Sequence, residues 1–209
     1  MVTEPTTMLT DYGLGVLCAL FAWRLWVMGR APMRMSVKYW AWGMGSLAAA
    51  AVAGGTVHGW TLILAESVLS ALWKGAGLAV GVANFCFFSG TLTASVTSPI
   101  RRWVMPIPYL QLAGYLVWIS GHSDFQYVIY NYGVTFVIIF LIQVHDGLVR
   151  KAASAGWVIA GVLVSFLAAF VQQSGMVLHS SFNHNDLYHV VQMAGVALLY
   201  RGAALLQDR

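Results

Sequence analysis

The chain alternates long apolar runs with short polar joints from end to end. A helix that crosses a membrane needs about 20 mostly apolar residues, and seven runs meet this requirement. They lie roughly at 11–29, 36–59, 67–91, 103–121, 124–144, 152–173 and 185–206. Turn-favouring residues such as Gly29, Pro32 and Pro99 separate the runs, and no joint is long enough to divide two domains. The pattern predicts an all-α, seven-transmembrane helix bundle that forms a single domain over residues 1–209.

The composition agrees with a membrane protein rather than a water-soluble one. Of the 209 residues, 59% are hydrophobic and only 9% are charged, whereas a soluble domain carries about a quarter charged residues. Cys18 and Cys86 both fall inside apolar runs, so they do not form a disulfide framework. The first ten residues contain no lysine or arginine, and we therefore expect the first run to be a retained span rather than a cleaved signal peptide.

Basic residues predict the orientation of the bundle. They cluster in the joints after the first, third and fifth runs and at the C-terminus, and an odd number of spans places all these positions on one side. The members of this group are Arg30, Arg34, Lys38, Arg101, Arg102, Arg150, Lys151 and Arg209. The opposite joints carry Glu4, Asp11, Glu66, Asp124 and Asp186 and no basic residue. Because cytoplasmic loops are enriched in lysine and arginine, we expect the N-terminus outside and the C-terminus inside.

The same topology gathers histidines on the outer side, where His58, His122, His179, His184 and His189 fall. His58 ends the second span, and His189 lies about one helical turn into the last, so the two rings should have similar depth. Neutral imidazole is a good zinc ligand, and a catalytic zinc commonly has three protein ligands. We therefore predict His58, His184 and His189 as metal ligands. The alternative is that these rings form hydrogen bonds between helices.

The spacing within the last histidine pair limits this prediction. Five residues on a regular helix separate His184 and His189 by about 140°, which is unfavourable for sharing one metal. The two rings can share a metal if the last helix begins near Asn185, because His184 then belongs to the segment before it.

Two carboxylates are candidate catalytic residues. Glu66 begins the third span and Asp186 begins the seventh, both on the side of the histidines. Either could orient a ligand histidine or act as a general base towards a metal-bound water. The alternative is helix capping, because a carboxylate in the first turn is stabilised by the positive end of the helix dipole.

The arrangement of these residues resembles that of the CREST superfamily, which includes alkaline ceramidases and progestin/adipoQ receptors. In both, a histidine ends the second span, a carboxylate starts the third, and histidines start the seventh. The resemblance implies a zinc ion held by one histidine from the second span and two from the seventh, and hydrolysis of an amide bond in a lipid. It places His58 and His189 at ligand positions and Glu66 where the family has an aspartate.

The sequence departs from that pattern at two positions. Gly54 stands where the family has a serine, and Asn185 stands where it has the first histidine of the last pair, with His184 displaced by one residue. The stretch from Phe182 to His189 also resembles uncharacterised bacterial membrane proteins near that superfamily. A descendant that kept the bundle and lost the metal is therefore an alternative.

These patterns lead to three functional hypotheses. The first is a zinc-dependent membrane hydrolase acting on a lipid amide or ester, a multi-pass protein of the bacterial inner membrane. The second is a non-enzymatic accessory subunit or receptor that binds membrane lipids or other membrane chains. The third is a haem protein in which His58 and His189 are axial ligands. Nucleic acid is an unsuitable partner, because the basic residues are spread thinly over several joints.

Overall fold

The computed structural model describes residues 2–177, 179 and 182–209. Within these residues the secondary structure is helical, apart from an isolated bridge between His179 and Phe182. The helices are α1 Pro5–Met28, α2 Met35–Trp60, α3 Glu66–Ser95, α4 Ser98–Val104, α5 Pro106–Gly121, α6 Phe125–Val149, α7 Ala155–Ser174 and α8 His184–Ala204. The predicted all-α class is confirmed.

Two helices, α1 and α3, extend well beyond the apolar runs that predicted them. The helix α1 begins at Pro5, whereas the first apolar run begins at residue 11. The helix α3 continues to Ser95 through a polar stretch, where the hydroxyls of Thr91 and Thr93 donate at 2.8 Å to carbonyls one turn earlier. Such bonds satisfy a hydroxyl within its own helix, so polar residues lengthen a helix without adding to its apolar signal.

The predicted fourth span consists of two helices. The short helix α4 ends at Val104, and α5 begins at Pro106. Proline has no backbone N–H to donate and is favoured at the first helical position, which explains a break at this residue. The helix α5 itself has only 16 residues.

Six helices form a closed ring. Going round it, α1 packs against α2, α2 against α3, α3 against α6, α6 against α7, α7 against α8, and α8 against α1. The helix α5 lies outside this ring and packs against α3. The ring order brings the first and last helices of the chain together, although they are furthest apart in sequence.

Glycines bring neighbouring helices of the ring close together. A Cβ atom at Gly90 of α3 would lie 2.6 Å from Cδ1 of Trp40 on α2. A Cβ atom at Gly161 of α7 would lie 2.7 Å from Cγ of Leu199 on α8. Both distances are shorter than carbon atoms tolerate, so these interfaces depend on glycine. Small residues serve this purpose widely in membrane helix packing.

The two ends of the ring differ in chemistry. We call one the histidine end, defined by His58, His184 and His189. There the segment before α1 meets the last turn of α2, since the backbone N–H of Glu4 donates to the carbonyl of His58 at 3.2 Å. We call the other the arginine end, defined by Arg34, Arg101, Arg150 and Arg209.

At the arginine end, three arginine side chains donate to the last carbonyls of α3. Arg101 reaches Thr93 O at 2.9 Å, and Arg209 reaches Ser95 O at 3.2 Å. Arg150 also contacts Ser95 O at 3.4 Å and forms an ion pair of 2.9 Å with Asp146. Cations at this position oppose the negative end of the helix dipole and satisfy carbonyls that have no partner within the helix.

In the part of the chain that the structure describes, four helices are long and apolar enough to cross a membrane: Pro5–Met28, Glu66–Ser95, Phe125–Val149 and Ala155–Ser174. The outer surface is also apolar, with Leu110, Trp103 and Val117 exposed by 71%, 74% and 77%. Large exposed apolar surface is typical of proteins that sit in a membrane. These observations agree with a membrane protein, and the count of seven spans stays a prediction.

Candidate functional site

A cavity of about 290 Å³ lies within the ring and begins at the histidine end. All six ring helices contribute to its wall. Its apolar lining comes mainly from α2, α3 and α6, and includes Leu47, Ala51, Ala76, Val80, Phe87, Phe125, Val128 and Phe136. Most of its polar lining comes from α1, α7 and α8, and includes Asp11, Ser165, Gln172, His184, Asn185, Tyr188, His189 and Gln192. The cavity therefore has an apolar wall facing a polar one.

The volume indicates what size of molecule the cavity accommodates. A protein cavity of roughly 150 Å³ that is lined by apolar side chains holds one benzene molecule. The cavity here is about twice as large, so it has room for a molecule of about 12 non-hydrogen atoms.

His189 is held by two residues of α1. Its Nε2 atom lies 3.1 Å from Oδ1 of Asp11, and its Nδ1 atom lies 3.0 Å from Oγ1 of Thr10. The side chains of His189 and Asp11 are each only 7% exposed. Both nitrogens of the ring are thus engaged, and the contact joins α8 to α1.

Hydrogen-bond geometry indicates how the protons are arranged in this contact. The Thr10 hydroxyl also lies 3.1 Å and 3.0 Å from the carbonyls of Thr6 and Thr7, and it has one hydrogen to donate to them. Its oxygen therefore accepts from Nδ1–H of His189. One further proton then lies between Nε2 of His189 and the carboxyl group of Asp11. If the nitrogen carries it, the two side chains form an ion pair, and if the oxygen carries it, both side chains are neutral. In both arrangements the net charge is zero, which a buried site favours.

Two glycines of α2 make space for Asp11. A Cβ atom at Gly54 would lie 3.4 Å from Oδ2 of Asp11, and one at Gly55 would lie 2.9 Å from its Cβ. A larger residue at Gly55 would push α1 away from α2. Gly54 is the position at which the resembling family has a serine, and here it borders the carboxylate that binds His189.

His58 occupies the last turn of α2 and contacts the segment that precedes α1. Its Nδ1 atom lies 3.1 Å from Oε2 of Glu4, and its ring packs edge-on against Trp73, with centroids 6.2 Å apart. Both His58 and Trp73 line the cavity. The pair with Glu4 is partly open to solvent, since the Glu4 side chain is 43% exposed.

The start of α8 is fixed by a capping box. Asn183 Oδ1 accepts from the backbone N–H of Asn185 at 2.8 Å, and Oδ2 of Asp186 accepts from the backbone N–H of Asn183 at 2.7 Å. This reciprocal arrangement satisfies donors at the helix start. It places His184 as the first helical residue, against the cavity. Among the described residues, Nδ1 of His184 and Oδ1 of Asp186 are buried and have no hydrogen-bond partner.

The five predicted site residues thus have different placements. His58, His184 and His189 all line the cavity. Asp186 caps α8 with one oxygen and is 1% exposed. Glu66 is exposed in the first turn of α3 and is not part of the cavity lining.

The three histidines, as placed, do not fit a zinc site. Within the described ranges, no group of three or more histidine, cysteine, aspartate or glutamate side chains could hold a metal ion. The physical reason is clearest at His189, whose two nitrogens are already engaged by Thr10 and Asp11. The ring would have to give up one of these bonds before it could ligate a metal. The same constraint applies to an axial haem ligand, because that role also requires a ring nitrogen.

Three cavity residues were not singled out from the sequence. In the sequence Asp11 is one acidic residue near the outer boundary, and its partner His189 is 178 positions away. Asn84 and Gln192 lie inside apolar runs, where a single amide gives little signal. A buried polar residue in a spanning helix is costly, and this cost is the signal that could have identified all three.

Comparison with known proteins places the chain in a family. Residues 6–208 match the model of a family of unknown function. The chain belongs to this family, DUF6962. The match begins within α1 and ends beyond α8, so the whole ring is covered by it. Searches of curated proteins and of solved structures gave no match for this DUF6962 chain.

We predict that Asp11 and His189 stabilise the fold as a coupled pair. Asp11→Ala should lower the free energy of unfolding by about 1–3 kcal/mol, because it leaves a buried ring nitrogen unpaired. The double variant with His189→Ala should cost less than the sum of the two single variants. Unfolding in mixed micelles measures these differences.

The control for this cycle is His145→Ala at the arginine end. The His145 side chain is 64% exposed and lies 3.5 Å from Asp146, so its loss should change the free energy by less than about 0.5 kcal/mol. Strictly additive effects of Asp11→Ala and His189→Ala would contradict the predicted coupling.

Proposed function

We propose that this DUF6962 protein is a seven-span membrane protein that binds a small amphipathic molecule in the cavity of its helical ring. The observation that carries the proposal is the cavity itself, which opens among three histidines and the carboxylate of Asp11 and continues along an apolar wall. Ligand pockets typically combine a mostly apolar lining with a few polar groups that fix orientation. This is the receptor or accessory-subunit hypothesis, with a membrane lipid or lipid-derived molecule as the ligand.

Charge favours a neutral or cationic head group. Among the described residues, the histidine end carries five carboxylates, from Glu4, Asp11, Glu66, Asp124 and Asp186, against one lysine, Lys74, and Asp11 lines the cavity. An anionic head would be repelled there, whereas an amine or hydroxyl group finds acceptors. The remaining basic residues lie towards the arginine end. Other membrane chains are compatible partners, and no nucleic-acid site is proposed.

The proposal also includes the number of membrane crossings and the orientation of the chain. The histidine end collects the starts of α1, α3, α6 and α8, and the arginine end collects their final residues. With α4 and α5 forming one crossing, the chain passes seven times and ends on the side opposite its start. The positive-inside rule then places the arginine end in the cytoplasm, with the N-terminus outside. We propose the bacterial inner membrane as its location.

A zinc-dependent hydrolase of a lipid amide or ester is the second candidate. The observation in its favour is that the three predicted ligands line one cavity, with His184 presenting a buried nitrogen that has no partner among the described residues. The bonds that hold His189 to Thr10 and Asp11 weigh against it. These bonds favour the binding function over the zinc-dependent hydrolase.

Cysteine labelling tests the topology. In a background without Cys18 and Cys86, Ser123→Cys at the histidine end should react with an impermeant thiol reagent in intact cells. Lys151→Cys, in the joint between α6 and α7, should react only after the membrane is opened. Equal labelling of both positions in intact cells, or the reverse order, would refute the proposed orientation.

Filling the cavity tests the binding function. Val80 and Val82 lie on the same helix, but Val80 lines the cavity whereas Val82 is 40% exposed on the outside. Val80→Trp should weaken binding of decylamine at least about tenfold, because the added ring occupies the space that the ligand needs. Val82→Trp is the matched control and should bind normally. Native mass spectrometry of protein released from lipid nanodiscs measures the affinity, and equal binding by the two variants would exclude the cavity as the site.

Metal analysis tests the second candidate. If the protein is a zinc hydrolase, it should purify with about one equivalent of zinc, and His58→Ala should remove that metal. A wild-type protein that contains no zinc after purification without chelators, and takes up none on addition, would leave the hydrolase hypothesis without support.

A further inference from the structure

Asn84 is an isolated polar residue on the apolar wall of the cavity. It lies on α3, is only 4% exposed, and faces a space otherwise bordered on that helix by Trp73, Ala76, Val80 and Phe87. Its Nδ2 atom is buried and has no hydrogen-bond partner among the described residues. A buried amide of this kind requires a partner, because an unsatisfied donor loses the bonds that water would give it.

The position of Asn84 is deep in the cavity. It follows Trp73 by eleven residues, which corresponds to a rise of about 16 Å along α3. Trp73 contacts His58 and so marks the level of the histidine end. Below Asn84, the rings of Phe87 and Phe136 lie with centroids 6.4 Å apart and line the cavity. Asn84 therefore lies near the bottom of the space, far from the polar groups at its mouth.

We propose that Asn84 selects a ligand with polar groups at both ends: a neutral or cationic head at the histidine end and an oxygen acceptor, such as a hydroxyl or carbonyl, near the far end of its chain. This inference rests on the proposed binding function and specifies its ligand class. Rotation of the Asn84 amide about its Cβ–Cγ bond exchanges the places of Nδ2 and Oδ1, and Nδ2 then donates to the ligand oxygen in the cavity. A ligand with a plain hydrocarbon end would leave that donor without a partner, so the cavity discriminates against it.

Gln192 supports the same ligand class from the opposite wall. It lies on α8, eight residues after His184, and so about 12 Å below the mouth. Its Nε2 atom donates to Oγ of Ser165 at 3.2 Å. Its side-chain carbonyl is an acceptor, so a ligand hydroxyl that accepts from Asn84 has a second amide in the deep half of the cavity to which it could donate.

A pair of matched probes tests the inference. Decylamine and 10-aminodecan-1-ol share one head and one chain and differ by a terminal hydroxyl. The amino alcohol has 12 non-hydrogen atoms, which suits the volume of the cavity. The wild-type protein in nanodiscs should bind the amino alcohol roughly three- to tenfold more tightly than decylamine, as one hydrogen bond would give.

Variants assign that preference to Asn84. Asn84→Leu should reduce the ratio of the two affinities to about one while decylamine still binds. Asn84→Ala should also reduce this ratio to about one, and it replaces Asn84→Leu in the test if leucine at this position prevents folding. Ser89→Ala removes a buried hydroxyl from the same helix outside the cavity lining, and it should keep the preference.

The outcomes separate the two proposals. Equal wild-type affinities, or a preference that survives both Asn84 variants, would overturn the role of Asn84 while leaving the cavity as a binding site. If the wild-type protein binds neither probe, the binding function and this inference both fail.

Discussion

The contact of His189 with Asp11 and Thr10 closes the helical ring. It joins the last helix to the first, and the other neighbours in the ring then enclose the cavity between them. The contact is tolerable inside an apolar bundle because its protons can be arranged with no net charge and every ring nitrogen has a partner. It also depends on α2, because Gly54 and Gly55 leave the space that the Asp11 side chain occupies. This polar contact, together with apolar contacts such as the stacked rings of Phe21 and Tyr200, joins α1 to α8, and it places an ionisable pair in the wall of the cavity.

The opposite end of the ring uses its charges for a different purpose. The side chain of Arg34 donates to carbonyls of Ala204 and Leu206 at 3.2 Å, and Asp208 accepts from the backbone N–H groups of Met35 and Ser36. These bonds satisfy helix ends that would otherwise lack partners. The charges at the arginine end are therefore largely occupied in holding helices, whereas at the histidine end the carboxylate of Asp11 borders the cavity. The proposed ligand would therefore be recognised at the histidine end.

The sequence allowed the helices to be predicted because apolar runs and turn residues are local signals. The grouping of His58, His184 and His189 came from topology, since alternating helices return to the same side, and the cavity brings these three residues together. The partner of His189 could not be predicted, because it depends on which helices are neighbours in the ring. Glu66 illustrates the reverse case: its position at a helix start is clear from sequence, but its exposure is decided by packing. Asn84 gives only the weak signal of a single amide in an apolar run, because its lack of a partner among the described residues is a property of the folded interior.

Gly54 and Asn185, the two departures from the CREST pattern, both lie near the contact between Asp11 and His189. Asn185 contributes no imidazole to the start of α8, and Gly54 leaves a space beside the carboxylate of Asp11. A metal ion stabilises buried imidazoles by giving their nitrogens a positively charged partner. In this chain a carboxylate and a hydroxyl are the partners of His189 instead, and they satisfy both nitrogens without a metal. Because both nitrogens of His189 have protein partners, a zinc ion would have to displace Thr10 or Asp11, whereas the proposed organic ligand would only have to enter the adjoining cavity.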